Sequence, residues 1–265
     1  MSKHIARKRF GQNFLHDANV ITRIIAAIAP QADDHIVEIG PGQGALTRLL
    51  HEQCRRLDVI EIDRDLVIAL KEQQWAYDIG IHQADALQFD FRALAETQEP
   101  EARLRLVGNL PYNISTPLLF HILDHSCLFR DAHVMLQKEV VQRMTAKPGS
   151  RTYGRLSVAL AARCEVELLF TIKPGAFSPA PKVQSAFARL VPLDNPRVPA
   201  EHRAEFDEIL RSAFGKRRKQ LGNALQPLMT PDEITAADID PTARAEQIDV
   251  DGFVRLARVA AGRSG

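Results

Sequence analysis

The chain has 265 residues, 45% hydrophobic and 25% charged, with a formal net charge of +1. That length suits one large domain and a small one, and the charge excludes a uniformly basic nucleic-acid binder, so any polyanion-facing surface must be local. Cys54, Cys127 and Cys164 lack C-x-x-C spacing, which argues against a disulfide framework or a zinc site and for a reducing compartment.

Asp17 is placed to cap a helix whose apolar positions Val20, Ile21, Ile24, Ile25 and Ile28 share one face and which Pro30 ends. A strand–loop–helix alternation follows. Strands are predicted at 35–39, 57–62, 78–82, 104–108 and 132–137, with helices at 45–54, 65–73, 116–124 and from Lys138. Alternation of this kind predicts an α/β fold, a Rossmann-like parallel sheet with helices on both faces and ligands at the strands' carboxyl ends. Residues 153–164 have a helical pattern, and 167–172 and 184–191 form a terminal strand pair joined by the proline-rich stretch 173–181. The linker Pro192-Leu193-Asp194-Asn195-Pro196 then leads into helices at 201–214, 216–226, 231–237 and 250–261. A boundary near 193 is expected, dividing 1–193 from a small all-α domain at 194–265. The basic N-terminus leads into no signal-peptide pattern, and no run approaches membrane-spanning length, so the cytoplasm is the expected location.

Glu38-Ile39-Gly40-Pro41-Gly42-Gln43-Gly44 joins the first sheet strand to its helix. Glycines at alternate positions let backbone N–H groups approach a ligand without obstruction by Cβ. Glu61, at the end of the next strand, is placed to accept hydrogen bonds from ribose hydroxyls, and Asp85 is placed to meet an adenine amino group. Gly40-x-Gly42-x-x-Ala45 also satisfies the dinucleotide-binding form G-x-G-x-x-G/A, so the loop alone leaves an oxidoreductase or a plain turn open. Glu38 favours a methyltransferase: a carboxylate there repels a pyrophosphate but suits the sulfonium and ammonium of S-adenosylmethionine (SAM).

Asn109-Leu110-Pro111-Tyr112, directly after the apolar run 104–108, has the makings of a clamp for a flat, amine-bearing ring. The Asn109 oxygen and the carbonyl of Leu110 or Pro111 can accept two hydrogen bonds from one exocyclic amine. Pro111 has no N–H to compete with those acceptors, and Tyr112 offers a face for base stacking. Phe177, in the stiff loop Phe177-Ser178-Pro179-Ala180-Pro181, is the candidate second face of a base sandwich, with a buried core ring as the plain alternative. Basic clusters occur at Lys3, Arg7, Lys8 and Arg9 and at Arg211, Lys216, Arg217, Arg218 and Lys219. They suit phosphate contacts or a solvated helix face.

Taken together, these residues resemble the family of ribosomal RNA adenine dimethyltransferases, and within it the members acting on the small subunit. The motifs are Gly11-Gln12-Asn13-Phe14-Leu15, Glu38–Gly44, Glu61-Ile62-Asp63, Asp85-Ala86, Asn109–Ser115, Gln137-Lys138-Glu139-Val140, Tyr153-Gly154-Arg155-Leu156-Ser157 and 177–183. The resemblance runs over nearly the whole chain and is less sharp in the helical tail. It implies that Asn13, Leu15, Gly40, Glu61, Asp85 and Asn109 hold SAM, with Gly42 and Gly44 in the same loop. Asn109, Leu110, Pro111, Tyr112 and Phe177 would form the base site. The implied substrate is two adjacent adenosines in a hairpin loop near the 3′ end of small-subunit rRNA, each methylated twice on N6 within a partly assembled small subunit. The expected enzyme is monomeric, uses no metal, and grips RNA phosphates through Arg7, Lys8, Arg9 and Lys216–Lys219, with the helical domain contributing. Alternatives are the large-subunit, antibiotic-resistance type and a non-catalytic nucleic-acid-binding factor on the same fold.

Overall fold

Asp17 Oδ1 accepts hydrogen bonds from the N–H groups of Asn19 and Val20, at 2.9 and 3.1 Å, and so starts the helix Ala18–Ile28. The computed structural model describes residues 12–95, 103–216 and 218–262. Its strands are β1 (Phe14–Leu15), β2 (His35–Ile39), β3 (Arg56–Glu61), β4 (Gly80–Gln83), β5 (Leu104–Asn109), β6 (Phe129–Gln137), β7 (Cys164–Ile172), β8 (Phe177–Ser178) and β9 (Ser185–Pro192). A seven-stranded sheet has the order β4-β3-β2-β5-β6-β9-β7, and β1 pairs with β8 in a separate two-stranded ribbon. Pairing is parallel from β4 through β6 and antiparallel between β6 and β9.

Every residue of β2 is buried, as a central strand covered by helices on both faces requires. From β2 the chain steps outward to β3 and β4, then returns to lay β5 on the other side of β2. Strand order reverses there, and the loops leaving β2 and β5 diverge to open a crevice at their carboxyl ends.

The chain forms two compact units, Met1–Val141 with Glu167–Val191, and Gln142–Val166 with Pro192–Gly265. The change at 191/192 falls beside the expected linker. The segment Gln142–Val166, however, groups with the helical unit rather than with the sheet. Its Tyr153 is buried, donates a hydrogen bond to the Ile248 carbonyl (2.9 Å) and meets Phe214 edge-on, at 6.2 Å between ring centroids. Arg163 closes the same unit by donating to both carboxylate oxygens of Asp207, at 2.7 and 2.8 Å. The expected helix 216–226 is shorter: the helix Arg203–Gly215 ends at Gly215, Lys219 donates its N–H to the Lys216 carbonyl (2.8 Å), and helix resumes at Leu221–Ala224. Gln220 bridges to Arg244 instead, a pairing invisible in local sequence.

At the end of the sheet opposite the crevice, Arg105 uses all five of its N–H donors. Nε and Nη2 donate to Asp131 (3.0 Å each), Nη1 to Asp34 (2.6 Å) and the Ala29 carbonyl (3.2 Å), and Nη2 to the Ile28 carbonyl (2.6 Å). One guanidinium thereby satisfies two buried carboxylates and the open carbonyls ending the helix Ala18–Ile28. Arg105→Met takes both hydrogen bonds from the buried Asp131 and leaves Asp34 with Arg130 (2.9 Å) and the Gln31 N–H (2.8 Å), and chemical denaturation should show a loss of about 3–5 kcal/mol. A loss under about 1 kcal/mol, the level of an exposed pair, would contradict this role.

Candidate functional site

The glycine loop leaves β2 with Gly40, Gly42 and Gly44 at φ of 69°, 57° and 79°, the left-handed region that β-carbons disfavour. Gly40 donates its N–H to the Ile60 carbonyl (2.9 Å), tying the loop to β3. A Cβ on Gly42 would sit 3.1 Å from the Phe14 ring, so glycine lets that ring cover the loop. Gly44 closes the turn by donating to the Pro41 carbonyl (2.9 Å), and it faces Trp75 instead of lining the cavity.

Two adjoining cavities open over this loop, sharing Gly40, Glu61, Ile62 and Pro111. The first is walled by Asn13, Phe14, Leu15, Glu38, Gly42, Asn109, Leu110 and Tyr112. The second, of about 280 Å³, holds Asp85, Ala86 and Asn113. Glu61 accepts N–H groups from Asp63 (2.9 Å) and Gly42 (3.4 Å), and burial pushes its carboxyl above the usual range. Asp85 Oδ1 accepts from the Leu87 N–H (2.9 Å). Glu38 is 2% exposed, and its Oε2 has no hydrogen-bond partner in the protein. Burial, reinforced by the nearby Glu61, pushes the Glu38 carboxyl up to about 7.

The residues before the first helix close one wall. Gln12 donates from Nε2 to Asp63 Oδ2 (3.0 Å), and β1 pairs with β8. Between them, the Asn13 carbonyl accepts a hydrogen bond from Asn109 Nδ2 (2.9 Å). Only the NH₂ half of an amide can donate to a carbonyl, so this contact fixes Asn109 with its Oδ1 as the acceptor on the other side. The Leu110 N–H donates to the Met135 carbonyl (3.1 Å), and the Pro111 carbonyl is taken by the Ile114 N–H (3.2 Å). The hydroxyls of Tyr112 and Ser185 share a hydrogen bond of 2.5 Å.

Asn13, Leu15, Gly40, Gly42, Glu61, Asp85, Asn109, Leu110, Pro111 and Tyr112 thus line one pair of cavities in the first unit. Phe177 does not join them. It is 2% exposed, lies opposite Leu15 in the β1–β8 ribbon and packs in the main apolar core. The expected second stacking face is thereby corrected: a ring enclosed by core side chains presents no face to a base, and Phe177 instead braces the wall carrying Asn13. Lys216, Arg218 and Lys219 are exposed in the second unit, whereas Arg7, Lys8, Arg9 and Arg217 lie outside the described residues. Ser185 carries no signal in the sequence, and Gln12, Ile62 and Asp63 occur there only as motif members without a role. Ile62 is 45% exposed and lines both cavities, and an apolar side chain left open after a strand-end acid was the available signal.

The sequence model of the family described as "Ribosomal RNA adenine dimethylase" matches residues 3–261. The chain belongs to that family. It is 53% identical over 256 residues to "Ribosomal RNA small subunit methyltransferase A" of Pseudomonas aeruginosa, covering 96% of this chain and 94% of that protein. The protein of the same description from Chromohalobacter salexigens is 52% identical, with 96% and 91% covered. Among solved structures, a dimethyladenosine transferase from Plasmodium falciparum superposes with a TM-score of 0.76 at 26% identity, over 92% of this chain and 95% of that one. The 23S rRNA methyltransferase ErmE gives 0.69 at 25% identity, over 93% and 99%. Both correspondences run through the sheet and the helical region that the family shares.

Because the carboxyl of Glu38 is raised in the fold, the folded state holds its proton between pH 4.5 and about 7 while the unfolded chain has released it. Stability therefore falls as pH rises through that window. Glu38→Gln should flatten the decline in denaturation midpoint between pH 5 and 8, and an unchanged slope would show that Glu38 titrates normally.

Proposed function

We propose that this chain transfers methyl groups from SAM to N6 of two adjacent adenosines in a hairpin loop near the 3′ end of small-subunit rRNA, twice at each. The observation carrying the reading is the Asn109 amide at the carboxyl end of β5, oriented by Asn13 with Oδ1 left to accept; the Leu110 carbonyl, whose neighbour at Pro111 already accepts from Ile114, would be the second acceptor of the clamp. Small-subunit specificity draws support from the relatives at 52–53% identity, whose descriptions name that subunit.

The residues present fit SAM. The partnerless Glu38 Oε2 suits a cationic neighbour, which would draw the proton from that carboxyl, and Gly40 and Gly42 leave room for a backbone approach. Asn13, Leu15, Glu61 and Asp85 would complete its binding. When bound, SAM supplies an electrophilic methyl group on a positively charged sulfur.

The chain's own part is positioning. An adenine amine is a weak nucleophile because its lone pair is delocalised into the ring. Asn109 Oδ1 and the Leu110 carbonyl draw both amine hydrogens toward themselves and localise that lone pair on the opposite side. Tyr112 holds the base by stacking, worth about 1–3 kcal/mol. A singly methylated amine keeps one hydrogen, so the same two acceptors can engage it for a second transfer. An alkylated amine is acidic enough to lose its proton to water, and the reaction calls on no strong general base.

A loop nucleotide costs less to unstack than one in a duplex, which suits a target in a hairpin loop. Lys216, Arg217, Arg218 and Lys219, with Arg7, Lys8 and Arg9, would grip phosphates while the bases carry specificity, and the second unit would share in that binding. The enzyme would act as a monomer on partly assembled small subunits in the cytoplasm. Among the described residues no helix is long and apolar enough to cross a membrane, and no cluster of metal-ligating side chains occurs.

The deciding experiment is transfer of labelled methyl from SAM to unmodified small subunits, with the modified base mapped. Label on two neighbouring adenosines near the 3′ end supports the reading, and label on large-subunit rRNA or none at all overturns it. Asn109→Ala should lower turnover by about 100-fold, the scale of a lost positioning contact, with RNA binding retained. If the run Lys216–Lys219 contacts four phosphates, log K should fall with log salt at a slope of roughly −3, whereas a slope near zero would make those charges solvating surface.

A further inference from the structure

We infer that Ser185 is a positioning residue for base stacking, tethering the far end of the Tyr112 ring and so fixing where its long axis lies; the inference rests on the adenine-methylating reading above. β9 runs antiparallel to β6, with Gln137 opposite Ser185, so its first residue arrives at the sheet edge where the parallel strands end and the clamp begins. The Lys138 N–H donates to the Gln184 carbonyl (2.9 Å) and pins that corner of the chain. Ser185 is fully buried, and its hydroxyl lies 2.5 Å from that of Tyr112.

Tyr112 sits on the loop after β5, where rotation about its first side-chain torsion would swing the ring across the cavity. A tether at the far end of the ring stops that swing. Rotation about the ring's long axis leaves the hydroxyl in place but is resisted by the walls of a half-buried site. The ring face is therefore set before any base arrives, and ordering it costs nothing at binding. The bond also occupies the phenol, so Tyr112 contributes its face rather than its hydroxyl to the reaction. Thermal midpoints of the variants separate a defect in positioning from a defect in folding.

The test compares full-length wild type, Ser185→Ala, Tyr112→Phe and the double variant in methyl transfer to unmodified small subunits. Donor affinity and thermal midpoint are measured alongside. Each single variant should lower kcat by ~3- to 10-fold, the effect of one lost hydrogen bond. The double variant should be no worse than either single one, because both remove the same contact, and donor affinity should be unchanged. Wild-type kcat in Ser185→Ala, or additive losses in the double variant, would overturn the inference. Should Ser185→Ala fail to fold, Tyr112→Phe decides: reduced kcat supports the tether and wild-type kcat refutes it. If wild type itself transfers no methyl to small subunits, the functional reading has failed instead, and the two failures are distinguishable.

Discussion

The hydrogen bond from Asn109 Nδ2 to the Asn13 carbonyl decides which half of an amide the crevice presents, and much of the first unit serves to maintain it. Reversed, the amide would offer an NH₂ to an incoming base and favour a carbonyl-bearing ring. Held as it is, Oδ1 is the half left to accept, and in the proposed reaction it would join the Leu110 carbonyl in receiving an amine that carries hydrogen. The wall that supplies the Asn13 carbonyl is secured on one side by Gln12 and Asp63 and on the other by the β1–β8 ribbon, whose Phe177 is sunk in the core. A buried aromatic thus helps hold the wall on which the Asn109 orientation depends.

Topology explains why these parts meet. Strand order reverses at β2 and β5, so Gly40 and Asn109 face each other across one crevice: a Cβ on Gly40 would lie 3.5 Å from the Asn109 backbone oxygen. The antiparallel β9 enters at the same edge and brings Ser185 beside the clamp. At the far end of the sheet, Arg105 on β5 holds the end of the helix Ala18–Ile28 through the Ile28 and Ala29 carbonyls and holds β6 through Asp131. The segment that carries Asn13 is therefore anchored at its distant end by a saturated guanidinium.

Much of this was legible from local pattern. The strand 35–39 and the helix 250–261 occur with the bounds that periodicity gave them, because burial on two faces or along one stripe writes itself into the residue order. Gly40, Gly42, Glu61 and Asp85 stand out in the sequence because close backbone approach and acceptors at strand ends need particular residue types, and all four line the paired cavities. What failed was non-local. A proline-flanked aromatic carries no periodicity, and only pairing with a two-residue strand far away in sequence put Phe177 inside the core. The basic stretch after Gly215 favours helix on composition, yet Gln220 pairs with Arg244 and helix resumes only at Leu221. The choice between the Leu110 and Pro111 carbonyls likewise depended on a turn, where the Ile114 N–H claims one of them.

The most direct test of the account is a crystal structure of the chain with the demethylated donor and an adenosine bound together. The account expects N6 within hydrogen-bond distance of both Asn109 Oδ1 and the Leu110 carbonyl, with the Asn13 contact intact and the donor's sulfur on the opposite side of that nitrogen. An adenosine bound with N6 turned away from residue 109, or an Asn109 amide rotated to release the Asn13 carbonyl, would contradict it.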